Sequence, residues 1–426
     1  MSSAGELRAM IGLSGKSIPE AAKAGGIHVR TLRGWLAGEV RNPKPREVGG
    51  LATALHREYA AVHSAVVACW KARRESQQGE DDHPVNADGY LRRQILLSGA
   101  TAVATAGSAL AAVLLSPSAS SISVAPCLDE MRTTLAQCKN RYQACSHSEV
   151  AEGLRSLLPR VAAAEGMASG DERLRWSVVA AESYQLATSI LLRFGSPGLA
   201  LMAADRSLRA AEHSQVPSAA AASARVMTHA LMRTGEALAA AEFAGAKAVS
   251  VDRQTTREVD GPEIWSTRGA LLLRGAEAAA EGGHASRAAT MLDEASELAN
   301  RVGEGANYCG TAFTPTNVLA HRMAVELSLG NAGRALDIAK QIEPSLMGTV
   351  ERQAGLWLDI AQAYSQWRKP EQALAALWDI ERIAPQELRL RRRAKDIVRH
   401  VRFQAPPSIK LEVNRLADRI GITAGA

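Results

Sequence analysis

A chain of 426 residues is too long for one compact core, so two or more domains are expected. Its 46% hydrophobic and 22% charged residues exclude a low-complexity or wholly disordered chain. The formal net charge of +6 sits in the first 75 residues, where 12 Lys and Arg face 6 acids; residues 76–426 carry 38 of each sign. A basic small domain on a neutral body is the footprint of a phosphate-backbone binder, although charge alone equally describes a solvated surface.

Residues 1–75 read as short helices joined by tight turns. The window Ser17–Leu36 predicts a helix-turn-helix. Ser17 and Glu20 form a capping box, with Pro19 in the opening turn. Ala22 supplies the small residue where two helices cross, and Gly26 supplies a turn position tolerant of positive φ. Leu32 and Trp35 lie three apart and face the core of the second helix. That helix then presents His28, Val29, Arg30, Thr31 and Arg33 outward. Arg30 and Arg33 suit either guanine edges or phosphates, and the sequence leaves that choice open. Lys16 and Ser17 at a helix N-terminus, and Lys44 and Arg46 in a Pro-rich loop, are expected at the phosphate backbone.

Residues 76–127 connect this domain to the rest. They begin with the polar stretch Glu75–Asn86, followed by Leu91-Arg92-Arg93 and the 21 uncharged residues Ile95–Leu115. That length would span a bilayer, with flanking arginines of the cytoplasmic sense. About half of the stretch is Ala, Gly, Ser and Thr, which favours a packed helix; a single-pass anchor stays open. A Ser/Pro-rich run, Ser116–Pro126, follows.

From Leu128 to the end, amphipathic helices of 12 to 20 residues alternate with short turns. A turn residue followed five positions later by alanine recurs at Gly195/Ala200, Gly235/Ala240, Gly283/Ala288, Gly330/Ala335 and Arg368/Ala373. The alanines are spaced by 40, 48, 47 and 38 residues, the excess falling in loops such as Arg253–Pro262 and Gly303–Thr314. Stacked helix pairs of this period build an α-solenoid, here of five to seven pairs over residues 128–426. The fold class is therefore all-α: a helix-turn-helix domain followed by a solenoid.

The first helix of each pair lines a solenoid's concave face. On those helices lie Arg225, His229 and Arg233, then Trp265 and Arg268, then Asn317 and His321, then Trp357 and Tyr364. Such groups suit a groove for a peptide, small molecule or protein; equally, the aromatics are core and the histidines structural.

Catalytic and cofactor signatures are missing: there is no phosphate loop, nucleophile elbow, H-E-x-x-H or dinucleotide fingerprint. A non-enzymatic protein without cofactor is expected. Five irregularly spaced cysteines (Cys69, Cys127, Cys138, Cys145, Cys309) suit a reducing cytoplasm. Cys145 and His147 lie close, yet no second ligand pair follows at zinc-site spacing, so no metal is expected.

The N-terminal window resembles the lambda-repressor-like, or Xre-type, helix-turn-helix over about residues 5–57, including Gly34-Trp35-Leu36-Ala37-Gly38 and Arg41-Asn42-Pro43-Lys44-Pro45. The whole chain is similar to streptomycete regulators that join such a domain to a tetratricopeptide-like half. Leu91-Arg92-Arg93 with its hydrophobic helix, Thr311–Val318, and the region from Ala375-Leu377 to Glu381–Pro385 carry that likeness. The resemblance implies a promoter-binding transcription factor, often tied to development or secondary metabolism. Two departures bear on affinity: His28 replaces a small hydroxyl cap, and Gly25-Gly26 replaces a single glycine. Double-stranded DNA is the expected partner, and a homodimer the expected assembly, because one helix-turn-helix reads one half-site. The competing reading is an interaction scaffold without sequence-specific DNA binding, anchored or not through residues 95–115.

Overall fold

The computed structural model describes residues 16–37, 43–57, 110–115, 126–255 and 260–422, with single positions or short runs between 7 and 14 and between 61 and 69. Every regular element among the described residues is helical, with no strand among them. The chain divides into two compact units, Met1–Leu97 and Ser98–Ala426.

In the first unit, α1 (Ile18–Ala24), α2 (Val29–Leu36) and α3 (Pro45–Ala54) enclose a small core. Ala21, Ala22, Leu32, Trp35, Val48 and Leu51 are essentially buried in it. Gly26 adopts φ +65°, and the next amide, Ile27 N–H, bonds back to Ala22 O at 3.0 Å, ending α1. The second glycine has its own role. A Cβ on Gly50 would lie 2.2 Å from the Gly25 carbonyl oxygen, and one on Gly25 would lie 3.0 Å from Leu51 Cα. The end of α1 and helix α3 therefore meet backbone to backbone, which only a glycine pair permits.

The second unit is a stack of helix pairs. The pairs are α4 (Leu128–Gln143) with α5 (His147–Met167), α6 (Gly170–Arg193) with α7 (Pro197–Ser214), and α8 (Pro217–Arg233) with α9 (Ala237–Gln254). Next come α10 (Pro262–Glu281) with α11 (Ala285–Val302), and α12 (Pro315–Ser328) with α13 (Ala332–Ala339). Helices α14 (Val350–Gln366) and α15 (Pro370–Ile383) form the sixth pair. After the short α16 (Pro385–Leu390), α17 (Arg392–Gln404) and α18 (Pro407–Arg419) complete seven pairs among the described residues.

One turn repeats through the stack. Gly195, Gly235, Gly283, Gly330 and Arg368 all have positive φ. The following amide bonds to the carbonyl five residues back each time, as in Ser196 N–H to Leu191 O and His284 N–H to Ala279 O. Five residues after each turn, Ala200, Ala240, Ala288, Ala335 and Ala373 have 0% exposure. A methyl side chain at that point lets the two axes close on each other. The first pair obeys the same rule without alanine or glycine: Cys145 has φ +61°, Ser146 N–H bonds to Arg141 O, and Val150 is buried.

First helices also pack on first helices, with α8 against α6 and α10, α12 against α10 and α14, and α17 against α14, forming a continuous inner wall. The stack curves until α4 touches α14. The loop from Gly303 to Thr314 closes part of the gap, since Gln143 of α4 bonds to Asn307 and to the Gly310 carbonyl. Phe313 of that loop is fully buried against Gly269 of α10, where a Cβ would lie 2.1 Å from the ring.

Of the 95–115 stretch, residues 110–115 are described and helical. Leu110 and Leu114 are buried in the core that holds Met131, Leu135 and Leu154, and Arg206 donates to the Leu114 carbonyl at 2.8 Å. Residues 95–109, Leu91-Arg92-Arg93 and the polar stretch of 75–86 lie outside the described residues. Among those described, no helix is long and apolar enough to cross a membrane.

Candidate functional site

Two places gather chemistry, one in each unit. In the first unit, α2 carries Arg30 and Arg33 on its exposed side, and neither meets an ion-pair partner among the described residues. His28 caps the helix: its Nδ1 accepts from Arg30 N–H at 3.1 Å, performing the work of the expected hydroxyl. An accepting Nδ1 places the ring proton on Nε2, which leaves the exposed edge of His28 as a donor. Thr31 is half-buried. Val29 was expected outward and instead packs partly against the core, because it precedes Leu32 by one turn on the apolar side.

At the start of α1, the Glu20 carboxylate accepts from Ser17 N–H at 2.8 Å and from the Ser17 hydroxyl at 2.7 Å. Those hydrogen bonds hold Glu20 below the usual carboxylate range and place a negative charge beside half-buried Lys16. Lys44 occupies the N-cap position of α3 and lies 3.7 Å from Glu47, and exposed Arg46 follows two residues on. Arg41 and Asn42 lie outside the described residues.

In the second unit, five of the nine expected groove residues converge. Arg225, His229 and Arg233 from α8, and Asn317 and His321 from α12, line one cavity of about 720 Å³. Trp265 and Arg268 do not join it. They border a separate cavity of about 280 Å³, where Trp265 Nε1 donates to Asp260 at 2.5 Å and the Arg301 guanidinium lies 3.8 Å from the indole centroid. Arg268 is committed to Asp252 and Glu294. Arg274, which does face the large cavity, follows Arg268 by six residues on α10. At about 100° per residue it lies roughly 240° further around the helix. Trp357 and Tyr364 pack against the apolar core.

The large cavity is more basic than the sequence reading suggested. Eight arginines and four carboxylates line it, with Arg193, Arg274, Arg352 and Arg391-Arg392-Arg393 added to the α8 pair. Most cations are matched. Arg274 pairs with Glu277, which also lies 2.5 Å from His321 Nδ1. Burial raises the Glu277 carboxyl, but Arg274 and His321 overcome that and hold it well below its ordinary value. Arg393 meets Asp359 and Gln362, both at 2.5 Å. Arg352 donates to the Thr311 carbonyl at 3.0 Å.

Two further groups stand apart from these ion pairs. His229 is kept far below its ordinary pKa by burial and by Arg274, Arg233, Arg193 and Arg225; as a neutral ring it accepts from Arg233 Nε at 3.3 Å. Arg225 has no ion-pair or hydrogen-bond partner among the described residues, and its Nε is shielded from solvent. Burial, then Arg352 and Arg274, push its guanidinium down to about 10.

Beside the cavity, Glu387 of α16 accepts from His147 Nε2 at 2.6 Å, Arg391 Nε at 2.7 Å and Arg193 Nη1 at 3.2 Å, while Arg193 also pairs with Glu351. Cys145 Sγ is 4.0 Å from the same carboxylate. Cys145, His147 and Glu387 thus come within ligand distance of one another. The two guanidiniums and the 2.6 Å hydrogen bond already occupy the carboxylate, so the set behaves as an ion-pair cluster. Burial and the two glutamates push the Cys145 thiol far up, which makes it a poor thiolate donor. The cluster joins residues 194 and 240 positions apart, and only the nearness of Cys145 and His147 was visible in the sequence. Compared with known proteins, the chain matches no family model and no curated relative.

Proposed function

We propose that the protein is a transcriptional regulator that binds promoter DNA through α2 and reports on a ligand held by its helical unit. The observation that carries this reading is the exposed Arg30/Arg33 pair, without an ion-pair partner among the described residues, on a helix capped by His28, in a chain whose excess positive charge lies in residues 1–75. Helix N-termini and arginines of this kind dock in the major groove and on flanking phosphates. Lys16, Lys44 and Arg46 stand as backbone contacts. The resemblance to Xre-type regulators with a tetratricopeptide-like half agrees with this division of labour. On the same reading the protein acts as a homodimer on two half-sites, in the cytoplasm at the nucleoid, and without catalysis.

The test is genome-wide capture of crosslinked DNA with the wild-type chain and with Arg30→Ala/Arg33→Ala. Each lost base-edge arginine costs about 1–3 kcal/mol, so discrete peaks should vanish while helicity is unchanged. Peaks that persist in the double variant would refute the placement of the recognition helix. No enrichment for the folded wild type would favour an interaction scaffold.

A further inference from the structure

The large cavity of the helical unit contains a cation that no carboxylate pairs with among the described residues. Arg193, Arg274, Arg391 and Arg393 each face a carboxylate. Arg225 pairs with none among the described residues, and the like charges of Arg352 and Arg274 act on it more strongly than the Glu351 carboxylate does. Its shielded Nε makes no hydrogen bond within the protein. An unpaired guanidinium with like charges beside it destabilises the fold that contains it, unless an anion from outside completes the site.

The surroundings define that anion. The planar fork of arginine matches an oxyanion in two-point fashion, and Arg352 and Arg274 line the same cavity close enough to act on its charge. Asn317 on α12 and the neutral His229 on α8 offer hydrogen bonds to uncharged parts of a ligand. Leu192, Met347 and Leu356 supply apolar wall. A volume of about 720 Å³ falls within the range of small-molecule sites, about 300–1,000 Å³.

We propose that this cavity binds a small molecule bearing a phosphate or carboxylate group, with Arg225 as the anchor of that group and Arg352 and Arg274 beside it. The proposal rests on the ligand-sensing half of the reading above and is independent of DNA binding by α2. Binding completes the charge balance of the inner wall contributed by α8, α10 and α14. It thereby stabilises the curved form of the stack.

The experiment uses the purified full chain and three probes at matched ionic strength: inorganic phosphate, adenosine 5′-monophosphate and citrate. Thermal unfolding midpoints and isothermal titration are recorded for the wild type, Arg225→Gln and Arg225→Lys. At least one probe should raise the wild-type midpoint above the sodium chloride control. Response to phosphate and the nucleotide marks a phosphate site, and response to citrate alone marks a carboxylate site. Arg225→Gln should weaken binding roughly tenfold to hundredfold, as expected for a lost hydrogen-bonded charge. Its midpoint without probe should equal or exceed that of the wild type, because a like-charge repulsion is gone. Arg225→Lys keeps the charge without the fork, so it should fold and bind more weakly than wild type.

The proposal is overturned if no probe exceeds the salt control, or if both variants bind as the wild type does. It is also overturned if Arg225→Gln lowers the probe-free midpoint and leaves affinity intact, the signature of a structural arginine. DNA capture by Arg30 and Arg33 is read separately, so failure of one half leaves the other standing.

Discussion

Glu387→Gln removes one charge from the ionic cluster beside the cavity and keeps the side chain's volume. Glu387 is 2% exposed and its two oxygens serve His147 at 2.6 Å, Arg391 at 2.7 Å and Arg193 at 3.2 Å. A glutamine offers one acceptor oxygen and turns an NH2 group toward the remaining donors. At least one cationic contact is therefore replaced by donor facing donor. Hydrogen bonds to charged groups contribute about 1.5–3 kcal/mol each, and removing one partner of a buried pair costs about 3–5 kcal/mol. Glu351 still compensates Arg193, so the lower end, about 3 kcal/mol, is expected. The assay is urea unfolding followed by far-UV ellipticity. Glu152→Gln is the control, since that carboxylate pairs only with Arg155 on an exposed helix surface and should shift nothing measurable. A Glu387→Gln midpoint equal to the wild type, at unchanged denaturant slope, would refute the view that this cluster holds α5, α6 and α16 together.

Three other outcomes follow from the geometry. Gly50→Ala forces a Cβ to 2.2 Å from the Gly25 carbonyl and should destabilise the first unit by about 1–3 kcal/mol; hydrogen exchange should accelerate over residues 29–36 and stay unchanged over 128–167. His28→Ala removes the acceptor for Arg30 N–H and should cost about 1 kcal/mol of α2 stability, with His28→Asn restoring most of it, as amide exchange at Arg30 would report. Burial alone would raise the Glu351 carboxyl, yet Arg352, Arg193 and His147 bring it from 4.5 down to about 2. A depressed carboxyl stabilises the fold above its unfolded value and loses that contribution as pH falls from about 4.5 to about 2, roughly 3 kcal/mol in all. Unfolding free energies at pH 5, 4 and 3 should therefore converge for wild type and Glu351→Gln; curves that stay parallel would contradict the ion-pair assignment.

Local chemistry made much of the fold legible. Ser17, Glu20, Ala22, Gly26, Leu32 and Trp35 act within a few residues of one another, and each occupies the place its type implies. The same holds for the turns at Gly195, Gly235, Gly283, Gly330 and Arg368, whose positive φ and buried alanines depend on one helix pair at a time. The first pair escaped because Cys145 and Val150 do the same work with other side chains. Gly25 read as a departure from the single-glycine turn only because its partner, Gly50, belongs to another helix.

The candidate cavity was half legible. An i, i+4 rule placed Arg225, His229 and Arg233 together, and Asn317 with His321, since one helix sets each group. The rule that first helices line the concave face also drew in Trp265 and Arg268, because position on a first helix does not tell which of its faces turns inward.

Taken alone, the sequence determined an all-α chain, its basic first unit, the helix-turn-helix window and the repeated pair with its turn. All of these rest on contacts between near neighbours in the chain. Tertiary structure alone decided that α4 comes against α14, that Glu387 gathers His147, Arg193 and Arg391, and that Arg225 is left without an ion-pair partner among the described residues. Those outcomes depend on small rotations between successive pairs, which accumulate over seven pairs and bring together residues some 200 positions apart. No local pattern encodes that sum, and so the charge balance of the cavity becomes readable only once the stack has curved.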